Sequence, residues 1–266
     1  MLKHRPLGQT GIVVSSIGLG TVKIGRNQGL KYPGRFDIPD DKHVVRLLGE
    51  ARRLGINLLD TAPAYGESEK RLGELLTNRH DWIICTKVGE EFDQGKSTFD
   101  FSSSHVKFSV ERSLKRLKTD YLDIVLVHSD GNDEDIINKS DCFDALQNLK
   151  ERGLIKAYGM STKTVAGGLL AAENSDVVMV TYNPVEMVDG LVIDHAARFG
   201  TGVLIKKGLS SGHLMSLTGD DSDSVEDSVR FIFQKPGVSS IVVGTIDPGH
   251  LRENVRDAIE VLSASS

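Results

Sequence analysis

Cysteine is scarce, with two residues in 266. Cys85 and Cys142 stand in no spacing that a metal site or a redox pair uses, so no metal ligand set is expected. They read as buried thiols of a chain kept in a reducing cytoplasm. No apolar run approaches the ~18 residues of a membrane helix, and the opening MLKHRPLGQTG has no apolar stretch of the kind a secretory signal needs. Positive charge is not in excess: 32 Lys and Arg face 37 Asp and Glu, a net charge of −5. Nucleic acid and anionic membrane are therefore not expected partners. Low-complexity segments, internal repeats and Pro/Gly-rich linkers are absent too, so residues 1–266 read as a single domain. Nor is there a G-x-G-x-x-G after the first strand. Gly18-Leu19-Gly20-Thr21 has two of those glycines and leads into a loop, which speaks against a doubly wound dinucleotide-binding sheet.

What the sequence has is a recurring unit, a short apolar run followed by a longer amphipathic segment. Runs occur at residues 13–19, 56–59, 82–86, 122–127, 155–160, 177–181, 203–205 and 239–243. Helical spacing is clear at about 40–54, 104–118, 141–152 and 248–262. Runs that are apolar throughout suit strands buried on both faces. Eight such units predict an α/β fold of the (β/α)8 TIM-barrel type. Strand order cannot be read from sequence, so an open doubly wound sheet remains the alternative. Residues 25–39 and the Asp/Ser-rich 219–227 read as insertions in connections.

In a parallel barrel the carboxyl ends of the strands share one rim, where sites are built. The second run ends on Asp60, the third at Lys87 and the fourth at His128, with Tyr65 on the connection after Asp60. These four suit proton delivery to a carbonyl. A free tyrosine titrates near 10, and a nearby ammonium favours its ionised form. Asp60 would hold Lys87 charged and in place, and His128 could hydrogen-bond the carbonyl oxygen. A carbonyl so polarised needs a hydride, which a nicotinamide supplies. Taken singly, each residue has a plainer reading: a structural ion pair for Asp60 and Lys87, an interior histidine for His128, loop packing for Tyr65.

Here the residues carry a likeness. Leu7-Gly8-Gln9-Thr10-Gly11, Val14-Ser15 and Gly18-Leu19-Gly20-Thr21, then Asp60-Thr61-Ala62, Tyr65-Gly66 and Ser68-Glu69, resemble the aldo-keto reductases. Lys87, and His128 after Leu-Asp-Ile-Val-Leu-Val, complete that family's catalytic tetrad, and the likeness runs from end to end. It implies an eight-stranded barrel closed at the bottom by an N-terminal β-hairpin at about residues 3–14. It also implies a nicotinamide cofactor, usually NADPH/NADP+ with NADH not excluded, lying extended across the strand ends. The positions it points to are Gly20, Thr21, Asp60, Ser161, Thr162, Lys206, Gly208, Leu209, Ser210, Gly244, Thr245, His250, Glu253 and Asn254. Thr162 stands where the family has an asparagine for the carboxamide, and Met179 near its glutamine. Lys206 stands where an aromatic ring often covers the nicotinamide, and His250 where many members have an arginine for the 2′-phosphate.

The implied activity is NADPH-dependent reduction of an aldehyde or ketone in the cytoplasm, with Tyr65 as general acid and Lys87, Asp60 and His128 in support. The implied partner is a small carbonyl substrate, and the expected state a monomer or weak oligomer. Substrate choice would fall to residues 129–140, 207–227 and the tail after Leu262, with residues 27–36, including Tyr32, near the pocket. Two other functions stay open: a nicotinamide-binding regulatory or sensor protein with little turnover, and a Schiff-base lyase using Lys87 as nucleophile.

Overall fold

The first apolar run divides between two sheets. In the computed structural model, which describes residues 1–29, 36–209 and 225–264, β1 (His4–Pro6) and β2 (Val13–Ser15) form an antiparallel hairpin. Only β3 (Ile17–Gly20) enters the barrel. The single strand expected over residues 13–19 is therefore two. Ser15 is tied down at the break, its hydroxyl donating to the Ile17 carbonyl at 2.6 Å.

The barrel continues with β4 (Leu58–Asp60) and β5 (Ile83–Val88). A second hairpin, β6 (Glu90–Asp93) and β7 (Lys96–Phe99), interrupts it. Then come β8 (Leu122–His128), β9 (Ile155–Ser161), β10 (Val177–Thr181), β11 (Gly202–Lys206) and β12 (Val238–Val243). The eight barrel strands are parallel and close in the order β10-β11-β12-β3-β4-β5-β8-β9. Around them lie α1 (Val22–Gly25), α2 (Asp41–Arg53), α3 (Ser68–Leu75), α4 (Ser103–Leu117), α5 (Asp133–Lys139) and α6 (Cys142–Glu151). The ring is completed by α7 (Val165–Asn174), α8 (Gly190–Phe199), α9 (Val225–Phe233) and α10 (Pro248–Ala264). No helix among the described residues is long and apolar enough to cross a membrane.

Strand periodicity sorts the side chains. Leu58, Cys85, Ile124, Leu126, Ala157, Val177, Met179 and Leu204 form the barrel interior. Their neighbours in sequence, such as Leu59, Ile84, Val125, Val178 and Val203, pack outward in the larger cluster with helix residues such as Leu47 and Val110. The bottom of the interior is stoppered by Leu7, fully buried in the same cluster with Ile12 and Val14 of the hairpin. Burying one such leucine contributes about 2 kcal/mol.

Helix starts follow local chemistry. Asp40 caps α2 by accepting from the His43 amide at 2.7 Å, and Ser102 caps α4 through the His105 amide. Three features differ from expectation. Residues 133–139 form α5 rather than a loop. Residues 225–227 begin α9 rather than belonging to an insertion. Beyond β5, where the sequence suggests only a loop, stands the β6–β7 hairpin. Its two-residue turn has Gln94 at φ 46 and Gly95 at φ 83, the doubly left-handed pair that lets a short turn match strand twist.

Candidate active site

The period-two alternation decides which side chains meet at the top. Asp60 lies two residues beyond inward-facing Leu58, Lys87 beyond Cys85, His128 beyond Leu126, and Lys206 beyond Leu204. Each continues the interior row of its strand into the upper mouth, so four strands deliver polar groups to one place.

Lys87 and Asp60 form the floor. Lys87 is 1% exposed and donates to Asp60 Oδ1 at 2.5 Å and to the Thr61 carbonyl at 2.9 Å. That leaves one of its three N–H donors for the pocket. Burial works to strip its charge, but Asp60, with Tyr65 and Cys85, outweighs burial and holds the ammonium well above its ordinary value. The strand end carrying Asp60 is itself fixed, because the Thr21 amide and hydroxyl both donate to the Asp60 carbonyl, at 2.9 and 2.8 Å.

Tyr65 closes a 3₁₀ turn, Pro63–Tyr65. Its ring lies 4.9 Å from Lys87 Nζ and meets the His128 ring edge-on, centroids 6.1 Å apart. Gly66 follows at φ 61, and a Cβ on Gly25 would come within 2.2 Å of the Tyr65 carbonyl. A Cβ on Gly66 would likewise lie 2.3 Å from the Gly25 carbonyl, so the two glycines let α1 and the turn pack backbone to backbone.

His128 has a companion that sequence reading missed. Glu90, the first residue of β6, places Oε2 2.7 Å from His128 Nδ1. The oxygen sits off the line of the N–H, and Nδ1 makes no hydrogen bond in the strict sense. The contact is electrostatic. Burial favours the neutral carboxyl, yet His128, Ser97 and Arg26 together pull Glu90 down to about 2. Burial is also the main cause lowering His128, aided by the Lys87 and Lys206 charges and opposed by Glu90. A sequence signal did exist: the acidic pair Glu90-Glu91 stands directly after a strand end, in a run that alternates around a Gln-Gly turn.

The hairpin bearing Glu90 is pinned on both faces. Glu91 points the other way and pairs with Arg112 and His105 near α4. Phe92 lies under the Arg26 guanidinium, 3.3 Å from ring centroid to Cζ. Arg26 also donates to the Ala64 carbonyl at 2.9 Å, beside Tyr65. Glu90 thus belongs to a roof tied to the tyrosine turn.

A second polar group stands at the ends of β9 and β11. Lys206 Nζ donates to Ser161 Oγ at 3.0 Å and to the Thr162 carbonyl at 2.6 Å. Burial is the chief cause, with neighbouring Lys207, that brings Lys206 down to about 8, against Asp189 and Asp133. The Thr162 hydroxyl is buried without a partner, an orphan that a bound amide would satisfy. Met179 faces the interior and offers nothing polar.

The remaining candidates lie apart from the tetrad. Gly244 and Thr245 follow β12 at the surface, where Thr245 Oγ1 accepts from the Asp247 amide at 3.0 Å. Asp247 accepts from the Gly249 and His250 amides at 2.5 and 3.3 Å, so the first amides of α10 already hold a carboxylate. His250 and Glu253 are exposed and Asn254 half-buried. Thr21 is spent on Asp60 and Ser68. A Cβ on Gly20 would press Val242, and one on Gly208 would strike Ile241, while Leu209 packs against the core. Ser210, Tyr32 and residues 210–224 lie outside the described residues. Among the described residues no group of His, Cys, Asp and Glu has the arrangement of a metal site.

This geometry has counterparts. A family model described as "Aldo/keto reductase family" matches residues 16–227. The crystal structure of a putative aldo-keto reductase from Pseudomonas aeruginosa superposes with TM-score 0.88, at 52% identity, over 97% of this chain and 95% of that one. An uncharacterized oxidoreductase of Bacillus subtilis is 29% identical over 97% of this chain and 91% of its own. The L-galactose dehydrogenase of Arabidopsis thaliana is 38% identical over 60% of this chain and 48% of its own.

Proposed function

Because the chain belongs to the aldo-keto reductase family, whose model covers residues 16–227, we propose that it interconverts an aldehyde or ketone and its alcohol with NADPH as cofactor. The observation that carries this reading is the buried Lys87–Asp60 pair, 2.5 Å across, beneath the ring of Tyr65. An ammonium held charged by a carboxylate stabilises the phenolate that remains once Tyr65 gives up its proton.

In this reading Tyr65 delivers its hydroxyl proton to the substrate oxygen, and in the reverse direction takes it back. Lys87 bears the charge that makes both directions accessible. Asp60 keeps Lys87 ionised and immobile, and His128 orients the substrate beside Tyr65. The nicotinamide, when bound, supplies or accepts the hydride. Ser161, Thr162 with its orphan hydroxyl, and Lys206 would hold the ring end. Gly244, Thr245 and His250 would meet the adenosine phosphate, and Glu253 and Asn254 the adenine.

One observation favours NADH instead. Asp247 already occupies the α10 amides, and its charge would repel a 2′-phosphate, whereas a carboxylate suits a ribose hydroxyl. The lyase reading through Lys87 is weakened, since an ammonium held ionised by Asp60 is a poor nucleophile. The sensor reading rests on Thr162, Met179 and Lys206 and predicts cofactor binding without turnover. Both cysteines are buried and unpaired, which supports a reducing cytoplasm, where we expect one domain acting as a monomer or weak oligomer.

The test is titration with NADPH and, separately, NADH, followed by quenching of the Trp82 fluorescence, then a panel of aldehydes and ketones with each cofactor. Tight binding and turnover support the reductase. Binding without turnover of any carbonyl would favour the sensor, and absence of binding would sink both.

A further inference from the structure

One side of the barrel's outer wall is unlike the rest. Among the described residues eleven large apolar side chains are exposed, and five of them fall between positions 185 and 199. These are Val185, Met187, Val188, Leu191 and Phe199, each 52–66% exposed. The others stand on separate elements, which is ordinary for a folded surface.

Helix geometry gathers the five. The turn before α8 winds directly into it, the Gly190 amide donating to the Met187 carbonyl at 2.9 Å and the Val192 amide to that of Asp189 at 3.0 Å. Val192, Ile193 and Ala196 face the core. Met187, Leu191, His195 and Phe199 recur every fourth residue and so form one stripe down the opposite face, with Val188 beside it. The stripe is preformed. Asn183 Oδ1 accepts from the Val185 and Glu186 amides at 2.9 and 2.8 Å, which fixes the loop. The His195 ring lies against Phe199, centroids 4.7 Å apart, and its Nε2 is 2.7 Å from Glu173.

The neighbouring helix adds no polar border. In α7, VAGGLLAAEN, the one charge is Glu173, already paired with His195. A helix on an outer wall ordinarily turns a polar face to water. The five side chains leave on the order of 500 Å² of largely apolar surface open, as much as the largest patch of an ordinary monomer.

The charges at the two ends of the stripe are opposite. Glu186, beside Met187, rests on the Asn183 amide at 3.3 Å, and Arg198, beside Phe199, on the Asp194 carbonyl of its own helix at 3.3 Å. Neither has an ion-pair partner among the described residues. The other charges of α8 do have partners, Asp194 in Lys235 at 2.6 Å and His195 in Glu173. A face that is apolar along its length, acidic at one end and basic at the other is complementary to itself turned end for end.

We propose that this face of α8 is a homodimer interface, in which two copies pack antiparallel across a two-fold axis at the level of Ile193. Positions 187 and 199, and 191 and 195, are equidistant from that level. Met187 of each copy therefore meets Phe199 of the other, and Leu191 meets His195. The same register leaves Glu186 and Arg198 of opposite copies about 3 Å out of level, a gap that two long side chains span. The stripes of two copies would bury about 1,000 Å², the floor for a specific interface, so the dissociation constant belongs on the order of 1–100 µM. Both charge signs on the face, and a net charge of −5, fit a second copy better than an anionic membrane.

The test is sedimentation equilibrium of the full chain from about 1 to about 300 µM. The expected result is a concentration-dependent passage from 29.0 kDa to twice that mass. Leu191→Asp should raise the dissociation constant roughly tenfold or more, and Met187→Asp takes its place if circular dichroism shows that the first variant fails to fold. Glu186→Arg and Arg198→Glu each set like charges face to face twice per dimer, so each should weaken association several-fold. Mixing those two variants in equal amounts should restore it, because each then carries what the other lacks. A wild type that stays at 29.0 kDa throughout overturns the proposal. So does a dimer that survives Leu191→Asp, or growth beyond two copies. Single charge variants without effect, or a mixture that does not recover, overturn the antiparallel two-fold. A monomeric protein that co-sediments with phosphatidylcholine–phosphatidylglycerol vesicles assigns the face to a membrane instead. None of these measurements involves turnover, so their outcome is separate from that of the proposed function.

Discussion

Two arcs of the same rim are built differently. Along β4, β5 and β8 the polar groups are dry and committed: Lys87 spends two donors on Asp60 and Thr61 and is 1% exposed. At the end of β12 and the start of α10 the groups lie at the surface, and the helix amides are taken by the chain's own Asp247. The first arc is preorganised for one charge distribution, as transition-state stabilisation requires. The second must give up internal contacts before it can hold a ligand. In the proposed function, chemistry would thus be fixed by burial, and cofactor choice would rest on weak, solvent-screened contacts that a few surface residues can reset.

Four expected outcomes would break or sharpen that contrast. The largest belongs to Lys87→Met, which strands the Asp60 carboxylate in a buried site. It should cost about 3–5 kcal/mol of folding stability and abolish turnover. Urea denaturation reads the first effect, and a loss below 1 kcal/mol would mean the arc is less dry than described.

Next, Tyr65→Phe should lower kcat by roughly 10²–10⁴-fold, the usual worth of a positioned acid. Cofactor affinity and melting temperature should stay near wild type. Retention of most activity would remove Tyr65 from its role.

Acid should loosen the roof. Glu90 sits near 2 when folded against 4.5 as a free side chain, so its contribution is complete above 4.5 and disappears as pH falls toward 2. His128, lowered when folded, acts in the same direction: its unfolded form takes up a proton first as pH falls through 6.5, which favours unfolding. At pH 7 Glu90→Gln should be less stable than wild type by on the order of 2 kcal/mol, and the gap should shrink by about half at pH 3 and close only as pH falls below 2. A gap that stays constant with pH would mean Glu90 is not held ionised.

The smallest effect is at the exposed arc. Asp247→Ala removes a charge and frees two helix amides, so NADPH affinity should rise a few-fold relative to NADH. Fluorescence titration with each cofactor would measure it. An unchanged ratio would mean that this helix start does not touch the phosphate.

Much of the first arc was legible. Asp60, Lys87 and His128 each end an apolar run, and strand alternation carries such residues to a common mouth, where the structure brings them together with Tyr65. The eight strands followed from the same patterning, and the hairpin stopper only from the family resemblance. The break at residues 13–19 was hidden because a strand that changes sheets keeps its apolar character on both sides of Ser15 and Ser16. Helix α5 was hidden by its composition, since Asp-Glu-Asp reads as a loop until it is seen as an acidic first turn.

Period-two and period-3.6 patterning, capping residues and turn glycines act within a few residues of themselves, so the chain alone determined the eight strand–helix units and the polar residues that end three of the strands. The closure of the sheet into a barrel was a matter of tertiary structure. The meeting of Glu90 with His128, 38 positions later in the chain, was decided only by folding. So were the orphaned hydroxyl of Thr162 and the capture of the α10 amides by Asp247. Each depends on where a hairpin or loop comes to rest against another strand's end, and that is set by packing between distant segments.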